Sequence, residues 1–260
     1  MTLPSQNRPG PVVFLGGGPG LAVAYAADPL RRAGFAQDWA FFEQPGCDGS
    51  GPTEPVTAQS VLDAAAAFVA GRAGEGAVSL VAHSWGAWLA LALLDRLPPG
   101  RIARAVLLHP APPTRAGRDA GVAALFARLS PEAMGRAAPL MARTDAEAGR
   151  AIMAILLPAY CGRETNLPDL DLALVPPVYH GVSASLGDDD QRGIVAAHAG
   201  RLTLVFGEAD VFSHDLYVQH GGDPAGLDSS LDIATLPGGH FGFLEDVAGF
   251  EAILRRRGVI

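Results

Sequence analysis

Residues 78–94 read VSLVAHSWGAWLALALL. The run through His83 is short and apolar, the signature of a buried strand. From Trp85 onward the chain is apolar almost all round, as in a helix enclosed within a domain. Between them lies Ala82-His83-Ser84-Trp85-Gly86. A serine on so sharp a strand-to-helix turn needs small residues two positions to either side, because the turn crowds helix against strand. Gly86 meets that demand and Ala82 nearly does. The turn would lift the Ser84 hydroxyl to the carboxyl edge of a sheet. It would also leave the Trp85 backbone N–H at a helix start, where it can stabilise an oxyanion.

Outward from this stretch, short β-branched or aromatic runs alternate with Ala/Leu-rich segments, the pattern of an α/β fold with a parallel sheet covered by helices. Strands are expected at 11–18, 38–45, 77–83, 101–110, 201–208 and 231–237. Helices are expected from the glycine turn to about Arg32, at 57–72 with Thr57 or Ser60 as cap, at 85–97, and at 242–257. The strand rhythm stops between 111 and 200. Helical segments at 121–130 and 147–160 stand there instead, so this region is expected to be a helical lid inserted into a core formed by 1–110 and 201–260.

Three further motifs end predicted strands. Gly16-Gly17-Gly18-Pro19-Gly20 allows backbone N–H groups to approach a ligand, but it is not GxGxxG and Pro19 lacks a donor, so a dinucleotide reading fails. Gly207-Glu208-Ala209-Asp210 and Gly238-Gly239-His240 follow two late strands. A serine hydroxyl is a weak nucleophile until an imidazole takes its proton, and the imidazole needs a carboxylate to fix its tautomer. The chain order Ser84, Asp210, His240 supplies those three groups at strand ends, where ligands gather in open α/β sheets.

These residues resemble the α/β-hydrolases, and most closely the prolyl iminopeptidase-like branch with its HGGPG, DQRGxGxS, GxSWG, GxxD and GGH motifs. The corresponding segments here are GGGPG (16–20), EQPGCDGSG (43–51), AHSWG (82–86), GEAD (207–210) and GGH (238–240). The resemblance implies Ser84 as nucleophile, His240 as general base, Asp210 as its orienting acid, and the backbone amides of Gly18 and Trp85 as the oxyanion hole. Gly16 stands where the family has histidine, which removes one anchor of the oxyanion loop. Glu43 and Pro45 replace the Asp and Arg of the second motif. Only ten residues precede the first strand, so the family's opening hairpin is expected to be absent and the sheet to have about six strands.

The resulting expectation is a cofactor-independent serine hydrolase, free of metal, acting on an ester, thioester or amide of a small, partly apolar molecule. Two alternatives stay open. An aminopeptidase would need lid carboxylates for the substrate ammonium, for which Glu132, Asp145, Glu147 and Glu164 are available. A non-hydrolytic enzyme, such as a cyclase or lyase, could use the same fold. Gly17, Glu43 and His109 are further candidate substrate contacts; the alternative readings are a satisfied turn histidine for His109, and hydrogen bonds that hold loops together for Glu43 and Gln44, which end a strand near the oxyanion loop. His83 is expected to point away from the nucleophile, Cys47 to be an inert small residue, and Asp188 to Asp190 to form a solvated loop.

Composition narrows the field. Hydrophobic residues make up 49% and charged residues 18%, which excludes a disordered chain. A net charge of −8 argues against nucleic-acid or anionic-membrane partners. The two cysteines, Cys47 and Cys161, are too far apart to mark a zinc site or a disulfide framework. The longest uncharged stretch, Pro9 to Ala27, holds prolines and glycines and cannot be a membrane helix. MTLPSQNRPG lacks an export-signal pattern, so a cytoplasmic protein is expected.

Overall fold

The computed structural model describes residues 10–49, 52, 54–162, 167, 170–221 and 231–260. Among these, six strands form one all-parallel sheet: β1 (Val12–Leu15), β2 (Ala40–Phe42), β3 (Val78–His83), β4 (Ile102–Leu108), β5 (Leu202–Gly207) and β6 (Asp232–Leu236). Their order is β2-β1-β3-β4-β5-β6. The chain winds outward from β1 to β2, then crosses back to place β3 on the other side of β1. The carboxyl ends of β1 and β3 therefore flank the switch point, where open α/β sheets bind ligands.

Side chains alternate between two cores. Val13, Leu15, Leu80, Ala82, Leu107 and Phe206 face α2 (Ala58–Ala73) and α3 (Trp85–Arg96). Phe14, Val81, Val106 and Val205 face the opposite layer, where Tyr25 and Leu30 of α1 (Ala24–Arg32) and Phe250 of the C-terminal helix pack. All six residues of β3 are buried, which explains why it reads as a continuous apolar run rather than an alternating one.

Thr57 caps α2 through a reciprocal box, accepting from the Ser60 N–H at 3.1 Å while its own N–H donates to Ser60 Oγ at 2.9 Å. The helix expected at 242–257 is in fact two, α10 (Gly242–Glu245) and α11 (Val247–Arg256). Asp246 divides them by leaving helical geometry and accepting from the Gly249 N–H at 3.0 Å.

Between β4 and β5 the chain forms α4 (Arg115–Ala127), α5 (Pro131–Met141), α6 (Ala146–Cys161), α7 (Pro176–Ser185) and α8 (Arg192–His198). The returning half packs into the main core: Val178 and Val182 of α7 and Val195 of α8 join the cluster formed with α2 and α3. A further helix, α9 (His214–Gly221), follows β5. None of the helices is long and apolar enough to cross a membrane among the described residues.

Candidate active site

Ser84 sits at φ 55° and ψ −118°, a backbone conformation L-residues rarely adopt. Such geometry costs on the order of 1–3 kcal/mol and persists only where the surroundings impose it. Here they do. The Ser84 N–H donates to the Leu108 carbonyl at 2.9 Å, and α3 begins at the next residue. A Cβ on Gly86 would lie 2.5 Å from the Leu15 carbonyl oxygen and 2.7 Å from that of Gly16, so only glycine lets α3 approach β1 this closely.

The turns after β5 and β6 bring the acid and the imidazole together by a similar close approach. A Cβ on Gly207 would stand 2.4 Å from the Gly239 carbonyl oxygen, and one on Gly239 would stand 2.3 Å from Cys161 Cα. The glycines of GEAD and GGH thus allow the two loops to pack on each other and on the end of α6. His240 is fixed further by its own N–H, which donates to the Tyr160 carbonyl at 3.0 Å, and by its ring, stacked on Tyr160 at 4.9 Å between centroids.

His240 Nε2 lies 2.8 Å from Ser84 Oγ, and its Nδ1 lies 3.0 and 3.2 Å from the Asp210 carboxylate oxygens. An ionised carboxylate only accepts hydrogen bonds, so Nδ1 carries the proton and Nε2 is left to accept from the serine hydroxyl. Asp210 is buried and also accepts from the Phe212 N–H at 2.9 Å and from His109 Nδ1 at 3.0 Å. Burial would raise its carboxyl, but electrostatic attraction to the His240 ring and the hydrogen bonds from His109 and His240 outweigh it and hold the group below the usual carboxylate range.

The glycine loop after β1 is tied from two sides. The Gly17 N–H donates to Tyr25 Oη at 2.8 Å, and that hydroxyl lies 2.6 Å from His83 Nδ1. His83 Nε2 in turn lies 2.8 Å from the His240 carbonyl oxygen. A carbonyl only accepts, so Nε2 bears the proton, Nδ1 accepts, and the tyrosine hydroxyl donates to it. Burial, with His240 and His109 nearby, holds the His83 imidazole well below its ordinary pKa, in keeping with a neutral ring. From the other side, Gln44 Oε1 accepts from the Gly20 N–H at 3.0 Å, and its Nε2 donates to the Gly17 carbonyl at 2.9 Å. Gly16 does not leave the loop without an anchor: Tyr25 and Gln44 supply it. A Cβ on Gly16 would meet Val23 Cγ2 at 3.5 Å and Tyr25 Cε1 at 3.7 Å. The backbone N–H groups of Gly18 and Trp85 have no hydrogen-bond partner among the described residues.

Two cavities meet at Ser84. The first, about 180 Å³, is walled mainly by apolar side chains of α4, α6 and α7, including Leu125, Ile152, Leu156 and Pro176, with Gly17, His240 and Phe241 at its base. The second, about 350 Å³, runs past Gly18, Trp85 and Ala111 toward Arg115, Arg118 and Asp119 of α4. Tyr160 and Tyr179 border both.

Not every candidate contact lies at these cavities. Gly17 does, but its N–H is taken by Tyr25. His109 is wholly buried at φ 48° and lines neither cavity; it follows β4 directly, and the β4–β5 pairing turns its ring onto Asp210. Glu43 also faces away, its carboxylate accepting from the Val23 N–H at 3.1 Å. Burial, partly offset by that bond, raises its carboxyl to about 7. Burial likewise pushes the Cys47 thiol up to about 12, which suits an inert residue. The 188–190 loop is not simply solvated. Asp189 pairs with Arg118 and accepts from the Trp88 indole, and Asp190 pairs with Arg192. Gln44 ties the loop in the way its place at a strand end beside the oxyanion loop suggests. Tyr25 and Arg118 are not among the residues the sequence singles out; both lie in helices and carry no local signal.

A strained serine at the end of β3, a histidine–aspartate pair on the last two strand ends and an all-parallel sheet define an α/β-hydrolase-type architecture. The alpha/beta hydrolase family model matches residues 12–253, and the chain belongs to that family. Among solved structures it is similar to VinJ, with 21% identity and a TM-score of 0.66 over 97% of this chain and 90% of that one. It is also similar to a thermophilic esterase from Thermogutta terrifontis with malate bound, at 18% identity and a TM-score of 0.67 over 96% and 91% of the two chains. MenH from S. aureus aligns at 15% identity and a TM-score of 0.64 over 97% and 96%. At such identities the likeness is one of fold. No curated protein matches the sequence.

Proposed function

We propose that the protein is a serine hydrolase that cleaves an ester, thioester or amide of a small, partly apolar molecule through an acyl-enzyme. The observation that carries this reading is the unbroken chain from Ser84 Oγ to His240 Nε2 and from His240 Nδ1 to Asp210. Ser84 attacks the carbonyl carbon while its proton passes to Nε2. Asp210 stabilises the imidazolium, and the proton then goes to the leaving group. Water, activated by His240, releases the acid and restores the serine. The free N–H groups of Gly18 and Trp85 would receive the oxyanion, the first held in place by the Tyr25 and Gln44 anchors. Helices α4 to α7 act as the lid, and the apolar cavity beneath them takes an aliphatic or aromatic part of the substrate. No metal or cofactor is required, and a cytoplasmic location remains part of the proposal.

The aminopeptidase alternative loses support. Asp145 caps α6 and pairs with Arg143, as does Glu147, and neither lines the cavities. Glu132 is exposed on α5 and lines neither, while Glu164 lies outside the described residues. Turnover of 4-nitrophenyl esters of two to eight carbons tests the reading. Activity in the wild type that falls at least ~10³-fold in Ser84→Ala supports it; equal rates in the two proteins would refute it.

A further inference from the structure

Two residues on the wall of the second cavity beside Ser84 carry buried side-chain donors that have no hydrogen-bond partner among the described residues. Arg118 is 8% exposed, and its Nη2 is paired with Asp189, whose other oxygen accepts from the Trp88 indole. Its Nη1 is buried without a partner among the described residues. Trp85, on the same cavity wall, is 3% exposed, and its Nε1–H is likewise buried and unpartnered among the described residues. Buried donors are almost always paired, so two orphans on residues lining one cavity next to a reactive serine require an explanation. Four other buried polar atoms, His109 Nε2, Gln191 Oε1, Tyr217 Oη and Arg257 Nε, are also unpartnered among the described residues, but none of these residues is on the cavity wall.

We infer that this cavity is a subsite for a carboxylate carried by the substrate, received by Arg118 Nη1 and the Trp85 indole. The inference rests on the serine-hydrolase reading and narrows it to esters that are apolar on one side of the scissile bond and acidic on the other. The donors select the chemistry. A carboxylate is an acceptor-only group with two oxygens, and guanidinium N–H groups bind it strongly. A hydroxyl or amide would bring donors of its own, whereas the acidic group on this wall, Asp119, is already engaged by Arg115 Nε at 2.9 Å from both oxygens. Asp189 pairs with the Arg118 charge and fixes the guanidinium plane, which sets the direction of the remaining N–H groups. The adjoining cavity offers no charged side chain, so the two halves of the substrate are sorted by polarity.

Two matched ester pairs test this on the wild-type protein. The first is mono-4-nitrophenyl adipate against 4-nitrophenyl hexanoate, which places the carboxylate on the acyl side. The second is 5-(hexanoyloxy)pentanoate against pentyl hexanoate, which places it on the alcohol side. In one pair, kcat/KM is expected to favour the carboxylated ester by about tenfold or more, the value of one charge-assisted hydrogen bond. In Arg118→Gln that ratio should collapse toward one, and Trp85→Phe should lower it in part, which keeps the test decisive if Arg118→Gln does not fold. Preference for the neutral ester in both pairs, or a ratio unchanged in the variants, would overturn the subsite while leaving the hydrolase intact. Cleavage of none of the four esters would instead strike the hydrolase reading, and the subsite with it.

Discussion

Tyr25→Phe removes one oxygen atom and tests how the glycine loop is held. In the native protein that oxygen accepts from the Gly17 N–H at 2.8 Å and donates to His83 Nδ1 over 2.6 Å, in a site where Tyr25 is 1% exposed. Phenylalanine keeps the ring and its edge-on contact with Phe241 at 5.9 Å, so packing is conserved. What is lost is the partner of two buried polar groups. Each orphan costs about 1–3 kcal/mol, and the space vacated by a hydroxyl is too small for a water to replace it. The expected loss of stability is therefore about 2–6 kcal/mol. Unfolding entropy of ~2.1 cal/mol/K per residue amounts to ~0.5 kcal/mol/K for a chain of this length, so the midpoint should fall by about 4–12 °C. Gly18 follows the released Gly17 directly, so its N–H loses its fixed direction. Removing one oxyanion donor outright costs about 10²–10³ in kcat, so with Gly18 in the proposed oxyanion role its loosening should cost about 10–100-fold. Thermal unfolding followed by circular dichroism, with ester turnover measured below the transition, reads both. A midpoint within ~1 °C of wild type together with unchanged kcat would refute the anchoring argument.

Two other outcomes are expected. His109→Phe keeps a ring between Phe243 and His240 but removes the donor to Asp210 Oδ2; kcat/KM should fall about 10–100-fold, and wild-type kinetics would show that the second histidine has no part in positioning the acid. Glu43 titrates near 7 in the folded protein against an ordinary value of 4.5, so between those values the native state holds the extra proton and stability declines as pH rises. The full shift would be worth about 3 kcal/mol, but the carboxyl is only part-buried and solvent screening leaves on the order of 1 kcal/mol. Glu43→Gln should abolish that decline between pH 4.5 and 7 in a comparison of denaturation midpoints, and parallel pH profiles for the two proteins would contradict the assignment.

The parts of this molecule that were legible in the sequence are those governed by local rules. Ser84, Asp210 and His240 each follow a strand and sit beside glycines, because the loops that carry them must approach one another within backbone contact distance. The six strands were legible for a related reason: β3 and its neighbours are buried on both faces, and continuous apolar runs mark such strands. The illegible parts depend on groups far apart in the chain. Tyr25 holds the loop after β1 only because α1 folds back beside His83, 58 residues on. Arg118 owes its orientation to Asp189, 71 residues away, and no spacing rule connects an arginine in one helix to an aspartate in a loop. His109, at a strand end, reads either as a cavity residue or as a satisfied turn histidine; it leaves β4 at positive φ with its ring on Asp210, which matches the second reading. The single helix expected near the C-terminus fails at Asp246, where a side-chain cap inside an apolar pattern restarts the helix.

The central claim is that Ser84 is a nucleophile activated by His240. Incubating the purified protein with a fluorophosphonate and reading the intact mass tests it without knowledge of the natural substrate. The account predicts one adduct per chain in the wild type, located on Ser84, and none in folded Ser84→Ala or His240→Ala. A folded wild-type protein that stays unlabelled, or one labelled equally well after either substitution, would contradict it.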